Sequence, residues 1–118
     1  MKSHRDLDAC KVAIALAKAV YEVTRGFPKE EVYGMTSQMR RSAVSIASNI
    51  AEGAARQGTK EYVQYLYVAV GSASELDTQL EIAQGVGLGD AASLVKVQEE
   101  ANRVTMILRG LIRALKSL

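Results

Sequence analysis

The sequence predicts an all-α protein, an antiparallel up-and-down four-helix bundle formed by a single domain over residues 1–118. The composition is that of a soluble helical chain, with 48% hydrophobic residues, 24% charged residues, one proline and no tryptophan. Apolar residues also recur three and four apart in four separate segments. Short connections between those segments favour helices that run antiparallel to their neighbours.

The first predicted helix spans about residues 7–25. Its core stripe is predicted from apolar residues that alternate three and four apart: Leu7, Cys10, Ile14, Ala17 and Tyr21. The segment GFPKEEVYGMT then breaks the pattern, and its single proline, Pro28, predicts the start of one helical turn. This segment is the longest connection in the chain.

The second helix is predicted from Thr36, whose hydroxyl suits an N-cap. Its core stripe is Met39, Ala43, Ile46, Ile50 and Gly53. A neighbouring stripe has mostly small or neutral residues in its middle: Gln38, Ser42, Ser45, Asn49, Glu52 and Arg56. Small side chains let another helix approach closely, which predicts an oligomer interface at Ser42, Ser45 and Ala47. An exposed serine-rich face is the alternative.

The end of the second helix is predicted to form a structural corner built from Asn49, Glu52 and Gly53. Asn49 and Glu52 lie three apart on one face, and a glycine at a core position permits close helix approach. In the following RQGT, Gly58 suits a left-handed turn and Thr59 suits the next N-cap.

The third helix has the clearest pattern, a heptad-like stripe without proline: Tyr62, Leu66, Ala69, Ala73, Leu76, Leu80 and Ala83. Glu75 and Gln79 lie beside this stripe. Glu75 either pairs with Arg40 or Arg41 of the second helix or is simply exposed, because an acid near a core is costly unless it is paired.

Three glycines in QGVGLGD end the third helix, and Asp90 is expected to cap the fourth. A dinucleotide-binding loop would have to follow a strand, so these glycines indicate a turn. The fourth helix keeps its apolar spacing to the last residue: Leu94, Val97, Ala101, Val104, Leu108, Leu111, Leu115 and Leu118.

The residues needed for catalysis or metal binding are scarce. A carboxylate-bridged di-metal bundle needs a Glu-x-x-His pair on each of two helices, whereas this chain has one histidine, His4, near its start. The single cysteine, Cys10, excludes an internal disulfide and is expected to be a buried apolar residue. We therefore expect no enzymatic activity, no metal and no cofactor.

No segment approaches the roughly 18 apolar residues of a membrane span, and Lys11 and Lys18 interrupt any secretory signal core. The expected location is the cytoplasm, without a membrane partner.

Basic residues collect at one end of the predicted bundle, where the first helix starts, the second meets the third and the fourth ends. They are Lys2, Arg5, Arg56, Lys60, Arg113 and Lys116. These residues are candidates for binding RNA or DNA, because phosphate contacts come mostly from Arg and Lys. The helix dipole alone explains Arg113 and Lys116, and a net charge of +2 does not decide between the two interpretations.

The run GMTSQMRRSAVSIASNIAEGAARQGTKEYVQYL, followed by GSASELDTQL, resembles the small bacterial four-helix bundle proteins encoded in intervening sequences of large-subunit ribosomal RNA genes. The residues that match the family pattern are Thr36, Ser37, Gln38, Arg40, Arg41, Ser45, Ile46, Asn49, Ile50, Ala51, Glu52 and Gly53. The opening and closing segments also fit.

The resemblance implies a four-helix bundle that assembles into a ring-like homopentamer, with no established enzymatic activity. Related accessory proteins of diversity-generating retroelements bind nucleic acid together with a reverse transcriptase, but they are strongly basic, unlike this chain. The leading functional hypothesis is an oligomeric protein that binds nucleic acid. The alternative is a homo-oligomeric scaffold that binds a protein partner and no nucleic acid.

Overall fold

The computed structural model describes residues 4–118, with the side chains of residues 4, 5 and 7 left out. Four helices follow one another, α1 (His4–Thr24), α2 (Met35–Ala54), α3 (Thr59–Gly85) and α4 (Ala91–Lys116). Each helix packs against two others, and the contact between α1 and α4 completes the bundle. The bundle is about 46 Å long and 23 by 18 Å across. The predicted all-α four-helix bundle is confirmed. None of the helices described here has the length and apolar character needed to cross a membrane.

The predicted core stripes of α2 and α3 are confirmed, since every residue of both is buried. The stripe of α4 is buried from Leu94 to Leu111, Leu115 is half-buried, and Leu118 is 90% exposed. The prediction for Leu118 is wrong because α4 ends at Lys116 and the following residues leave the helix. Amphipathic stripes facing one shared core therefore account for three of the four helices.

The predicted core stripe of α1 is mostly wrong. Ile14 and Tyr21 are 43% and 40% exposed, Ala17 is half-buried, and the side chain of Leu7 lies outside the described residues. The apolar residues that α1 buries are Ala9, Cys10, Ala13, Leu16 and Val20. Both stripes are apolar and lie side by side on the helix, so spacing alone could not show which one faces the core. Burial of Cys10 is confirmed.

The connection between α1 and α2 contains a 3₁₀ turn, Lys29–Glu31, which follows Pro28 as predicted. The predicted N-cap of α2 is wrong, because Gly34 precedes the helix and Thr36 is buried inside its first turn. The carboxylate of Glu31 instead accepts a hydrogen bond from the Met35 backbone N–H at 3.2 Å. A side chain from the preceding turn thus satisfies one of the free N–H groups of α2.

The connection between α2 and α3 also differs from the prediction. Gly58 has φ −96° and ψ 140°, an extended conformation, and it is Gly58 rather than Thr59 that precedes α3. The two helices are therefore joined without a left-handed residue.

The glycines between α3 and α4 form a turn, as predicted. Gly87 and Gly89 have φ of 76° and 62°, values that L side chains rarely adopt. A Cβ on Gly89 would lie 2.8 Å from the Phe27 ring, so this turn packs closely on the α1–α2 connection.

The Asp90 cap of α4 is confirmed. The Asp90 carboxylate accepts hydrogen bonds from the Ser93 hydroxyl at 2.6 Å and the Ser93 backbone N–H at 3.0 Å. These bonds, the hydroxyl bond first, hold the pKa of Asp90 below its usual value. A lowered carboxyl pKa means that the cap contributes stability above the unfolded pKa and loses it as pH falls.

Arg40 and Glu75 have partners other than the predicted ones. Arg40 donates to the Thr24 hydroxyl at 2.9 Å, and its guanidinium lies 4.5 Å from the centre of the Tyr21 ring. Glu75 accepts a hydrogen bond from the Ser42 hydroxyl at 2.7 Å. Of the two alternatives for Glu75, an ion pair or simple exposure, the described residues show an exposed Glu75 without an ion pair to Arg40 or Arg41, and Arg40 connects α2 to α1.

A buried polar contact joins α1 to α3. The Tyr62 hydroxyl donates a hydrogen bond to the Asp6 carboxylate, and the exposed fractions of the two residues are 0% and 1%. Burial, followed by this hydrogen bond, raises the pKa of Tyr62 above its ordinary value. Stability linked to Tyr62 is therefore present below the ordinary tyrosine pKa of about 10 and is lost as pH rises past it, because the unfolded chain ionises first.

Replacing Tyr62 by Phe should lower the free energy of unfolding by about 1 to 3 kcal/mol, because Asp6 stays buried while the hydroxyl that bonds it is gone. Urea unfolding measures this change. In an Asp6→Ala background the same replacement should cost less, since the contact is already absent. Equal costs in both backgrounds would show that the two residues are not coupled.

Candidate nucleic-acid interface

The end of the bundle that the sequence marks as basic is formed by the first turns of α1 and α3 and the last turns of α2 and α4. Two contacts establish this arrangement: Tyr62 of α3 bonds Asp6 of α1, and the Lys116 ammonium of α4 lies 3.3 Å from the Tyr67 hydroxyl of α3. Below, this end is called the shared end. It holds Arg56, Lys60, Arg113 and Lys116, whereas Lys2 and the side chain of Arg5 lie outside the described residues.

Arg56 is half-buried and held by its own chain. Its guanidinium donates to Glu52 at 3.1 Å and to the Tyr65 hydroxyl at 2.5 Å, and it lies 4.9 Å from the centre of the Tyr65 ring. Charge and ring stacking therefore fix Arg56 against the corner between α2 and α3. An incoming phosphate would meet a guanidinium whose orientation is already set.

Lys60 and Arg113 are the open cations of the shared end. Both side chains are exposed, and neither forms an ion pair within the described part of the chain. Lys116 lies 5.7 Å from the centre of the Tyr67 ring, and that ring is itself 44% exposed. The exposed carboxylates at the same end are Asp8, Glu52 and Glu61. The shared end is therefore a patch of mixed charge.

The two tyrosines beside these cations were missed in the sequence. Tyr65 and Tyr67 follow the buried Tyr62 closely at the start of α3. They were therefore counted with the core-forming helix and not as candidate binding residues. A usable signal existed, because helical spacing places Tyr65 and Tyr67 on the flanks of the core stripe while Tyr62 lies within it.

Of the corner residues, Gly53 packs against α3, whereas the hydrogen bonds of Asn49 lie within α2. Asn49 donates to the Ser45 carbonyl at 2.8 Å and to the Ser45 hydroxyl at 3.0 Å. A Cβ built on Gly53 would lie 2.7 Å from the Tyr65 Cβ and 2.9 Å from the Tyr62 ring. At Gly53 the two helices are thus too close for any other residue without rearrangement.

The three predicted interface residues of α2 face two different neighbours. Ser42 is buried against α3, where it bonds Glu75, and Ser45 shares a hydrogen bond of 2.8 Å with Ser72 of α3. These two serines therefore have a partner helix inside the chain. Ala47 lies on the other side of α2, in an open hollow of about 550 Å³ against α1.

The hollow beside Ala47 has an apolar floor. Its apolar side chains are Ile14, Ala17, Tyr21, Val44 and Ala47. Ile14, Tyr21 and Val44 are each at least 40% exposed. Exposed apolar side chains that lie together are more informative than single ones, because they mark surfaces that other molecules cover.

Within residues 4–118, leaving aside the undescribed side chains, no cluster of His, Cys, Asp and Glu could hold a metal ion.

Comparison with known proteins yields a family match and a structural neighbour. Residues 5–110 match the model of the 23S rRNA-intervening sequence protein family. The fold is similar to the crystal structure of a protein of unknown function from the S23 ribosomal protein family of Bacteroides thetaiotaomicron, with a TM-score of 0.85 and 19% identity. That similarity covers 92% of this chain and 98% of the other. No curated protein sequence matches the chain.

Replacing Gly53 by Ala should lower the free energy of unfolding by about 1 to 3 kcal/mol, because its Cβ would overlap atoms of Tyr65 and Tyr62. The matched control is Gly71→Ala in the middle of α3, where an added Cβ meets nothing within 4 Å. That control should raise stability by about 0.5 to 1 kcal/mol through helix propensity. If both variants melt above the wild type, Gly53 has no packing role.

Proposed function

Because the chain belongs to the 23S rRNA-intervening sequence protein family, we propose that it is a non-enzymatic, cytoplasmic homo-oligomer that binds nucleic acid through the shared end. The observation that carries this proposal is the grouping of Arg56, Lys60, Arg113 and Lys116 at that end, with Lys60 and Arg113 open to a ligand. The family description names an intervening sequence of 23S rRNA and no ligand, so RNA and DNA are both tested.

The surface chemistry favours unpaired nucleic acid over a regular duplex. Lys116 and the partly exposed Tyr67 lie side by side, as do Arg56 and Tyr65. Cations beside aromatic rings suit single strands and loops, where the phosphate meets the charge and a base stacks on the ring. Symmetry in an oligomer would repeat this patch, so that weak contacts combine into useful avidity.

The binding test reverses the two open cations. Lys60→Glu with Arg113→Glu should weaken binding of a labelled RNA stem-loop by at least about tenfold and flatten the salt dependence, because phosphate neutralisation carries the affinity. The control, Lys29→Glu with Arg41→Glu, makes the same change of charge at the opposite end. Anisotropy at two salt concentrations measures both.

Equal losses from the shared-end pair and the control pair would show that only net charge matters. A wild-type protein that binds neither RNA nor DNA at low salt would overturn the proposal.

We propose further that the oligomer, a homopentamer as the family resemblance implies, forms through the hollow between α1 and α2. This hollow contains Ala47, the one predicted interface residue that is open, among exposed Ile14, Tyr21 and Val44. A second copy would bury these side chains, and apolar burial is the main force in stable self-association.

Replacing Ala47 by Glu should dissociate the assembly while leaving the helix content unchanged, because a bulky charged side chain would be buried among the apolar residues of the contact. Size-exclusion chromatography with light scattering measures the mass, and circular dichroism measures the helix content. Ala92→Glu, at an exposed position in the first turn of α4, is the control and should keep the assembly. A wild-type monomer at micromolar concentration would refute self-association, and an intact Ala47→Glu oligomer would place the contact elsewhere.

The second candidate is a scaffold that binds a protein and no nucleic acid. Large apolar side chains exposed on the outer faces favour it, notably Val68 at 53% and Met106 at 73%. Salt-dependent retention of RNA separates the two candidates, because a scaffold of this kind would retain none.

A further inference from the structure

A second surface, distinct from the Ala47 hollow, runs between α1 and α4. It is a groove of about 840 Å³, called here the α1–α4 groove, and a smaller depression that shares Val12 and Arg103 extends it toward Glu100. From Glu100 to Ser117 the groove follows α4 for about 25 Å, given the helical rise per residue. Of the four neighbouring helix pairs, α1 and α4 have the least extensive contact.

The floor of the groove is apolar. Val12 of α1 lies opposite Ile107, Leu111 and Ala114 of α4. Val12 and Ile107 are only partly buried, although both pack against the core. The groove thus exposes an apolar strip beside the core, which water solvates poorly.

Gly110 lies within this strip, and no packing contact inside the chain requires a glycine there. A Cβ added there would meet no atom nearer than the Arg113 guanidinium at 4.0 Å. A glycine in a helix interior costs about 1 kcal/mol relative to alanine, so this position is unfavourable for the isolated bundle. Its effect is to widen the groove and let another backbone approach, which contrasts with Gly53, where the space is already filled.

The rim of the groove is cationic. Lys11, Arg103 and Arg113 line it, with Asp8 as the acid beside them in its main part. Lys11, Arg103 and Arg113 are exposed, and none of them forms an ion pair with another described residue. A ligand of this groove should therefore be apolar along one line and acidic on both sides of it.

From this combination we propose that the α1–α4 groove binds an acidic amphipathic helix of a partner protein. The apolar face of such a helix would cover Val12, Ile107 and Ala114, and its carboxylates would reach Lys11 and Arg103. A nucleic acid fits less well, because its phosphates would use the rim and leave the floor uncovered. Among the described residues no aromatic side chain lines the groove to stack a base.

The test uses a synthetic labelled peptide of about 18 residues, five helical turns, with leucines on one face and glutamates on both flanks. Two matched peptides are its controls: one has glutamine in place of glutamate, and the other has the same composition scrambled so that no apolar face forms. Fluorescence anisotropy with the full-length protein measures binding. The acidic amphipathic peptide should bind at least about tenfold more tightly than either control, since both charge and face contribute.

Variants of the groove then locate the peptide. Lys11→Glu with Arg103→Glu should weaken binding by about tenfold or more through repulsion of the glutamates. Gly110→Leu should weaken it by obstructing the floor, without added charge. Arg109→Glu is the control for α4, because Arg109 is exposed on the same helix and does not line the groove.

Three results would overturn the proposal. The first is binding of the scrambled peptide as tight as that of the amphipathic one, and the second is an equal loss with Arg109→Glu. The third is a smaller mass of the Gly110→Leu protein in light scattering, which would show that a second copy of this chain covers the groove. Loss of RNA binding in the variant Lys60→Glu with Arg113→Glu does not bear on this proposal, because its test uses variants of Lys11, Arg103 and Gly110.

Discussion

The buried side chain of Tyr62 connects three of the four helices, and the shared end depends on it. Its hydroxyl bonds Asp6 of α1, while its ring lies so close to Gly53 of α2 that a Cβ there would be 2.9 Å away. A carboxylate buried at this depth needs its hydrogen bonds, and a large ring needs a neighbour without a side chain. Together these two demands fix the positions of α1 and α2 relative to α3. The surface cations Arg56 and Lys60 follow from that geometry, since both belong to the corner beside Tyr62.

The contact between α2 and α3 shows how small residues from two neighbouring stripes of α2 can specify close packing without large apolar side chains. Ser42 bonds Glu75, Ser45 bonds Ser72, and Gly53 lies against Tyr65, in order along the two antiparallel helices. Small side chains shorten the distance between helix axes, and their hydroxyls then find partners on the facing helix. This contact is the most extensive of the bundle. The polar stripe of α2 is therefore part of the interior arrangement, although its composition also suits an exposed face.

Much of the fold could be predicted because the hydrophobic stripes of α2, α3 and α4 are unambiguous and the Asp90 cap is a local signal. The partners of individual polar residues could not. Arg40 turns toward Tyr21 and Thr24 of α1 rather than toward Glu75, and a sequence does not reveal which of two adjacent helices a long side chain will reach. For the candidate site, the up-and-down topology predicted which end of the bundle collects the basic residues. The attachment of Arg56 to Tyr65 did not, because it depends on a close approach of the two helices at Gly53.

The failure of the sequence pattern in α1 is itself informative about the surface. An amphipathic helix in a self-sufficient bundle carries one apolar stripe and a polar remainder. Helix α1 instead has its core stripe, a second line at Ile14 and Tyr21 toward α2, and Val12 toward α4. Each added line borders one of the two open surfaces, the Ala47 hollow or the α1–α4 groove. The apolar residues that obscured the core-facing side of α1 are thus residues that the isolated bundle leaves partly uncovered. Other molecules on both sides of α1 would be needed to cover them. Because α1 carries apolar residues on more than one face, periodicity alone does not identify its core-facing side.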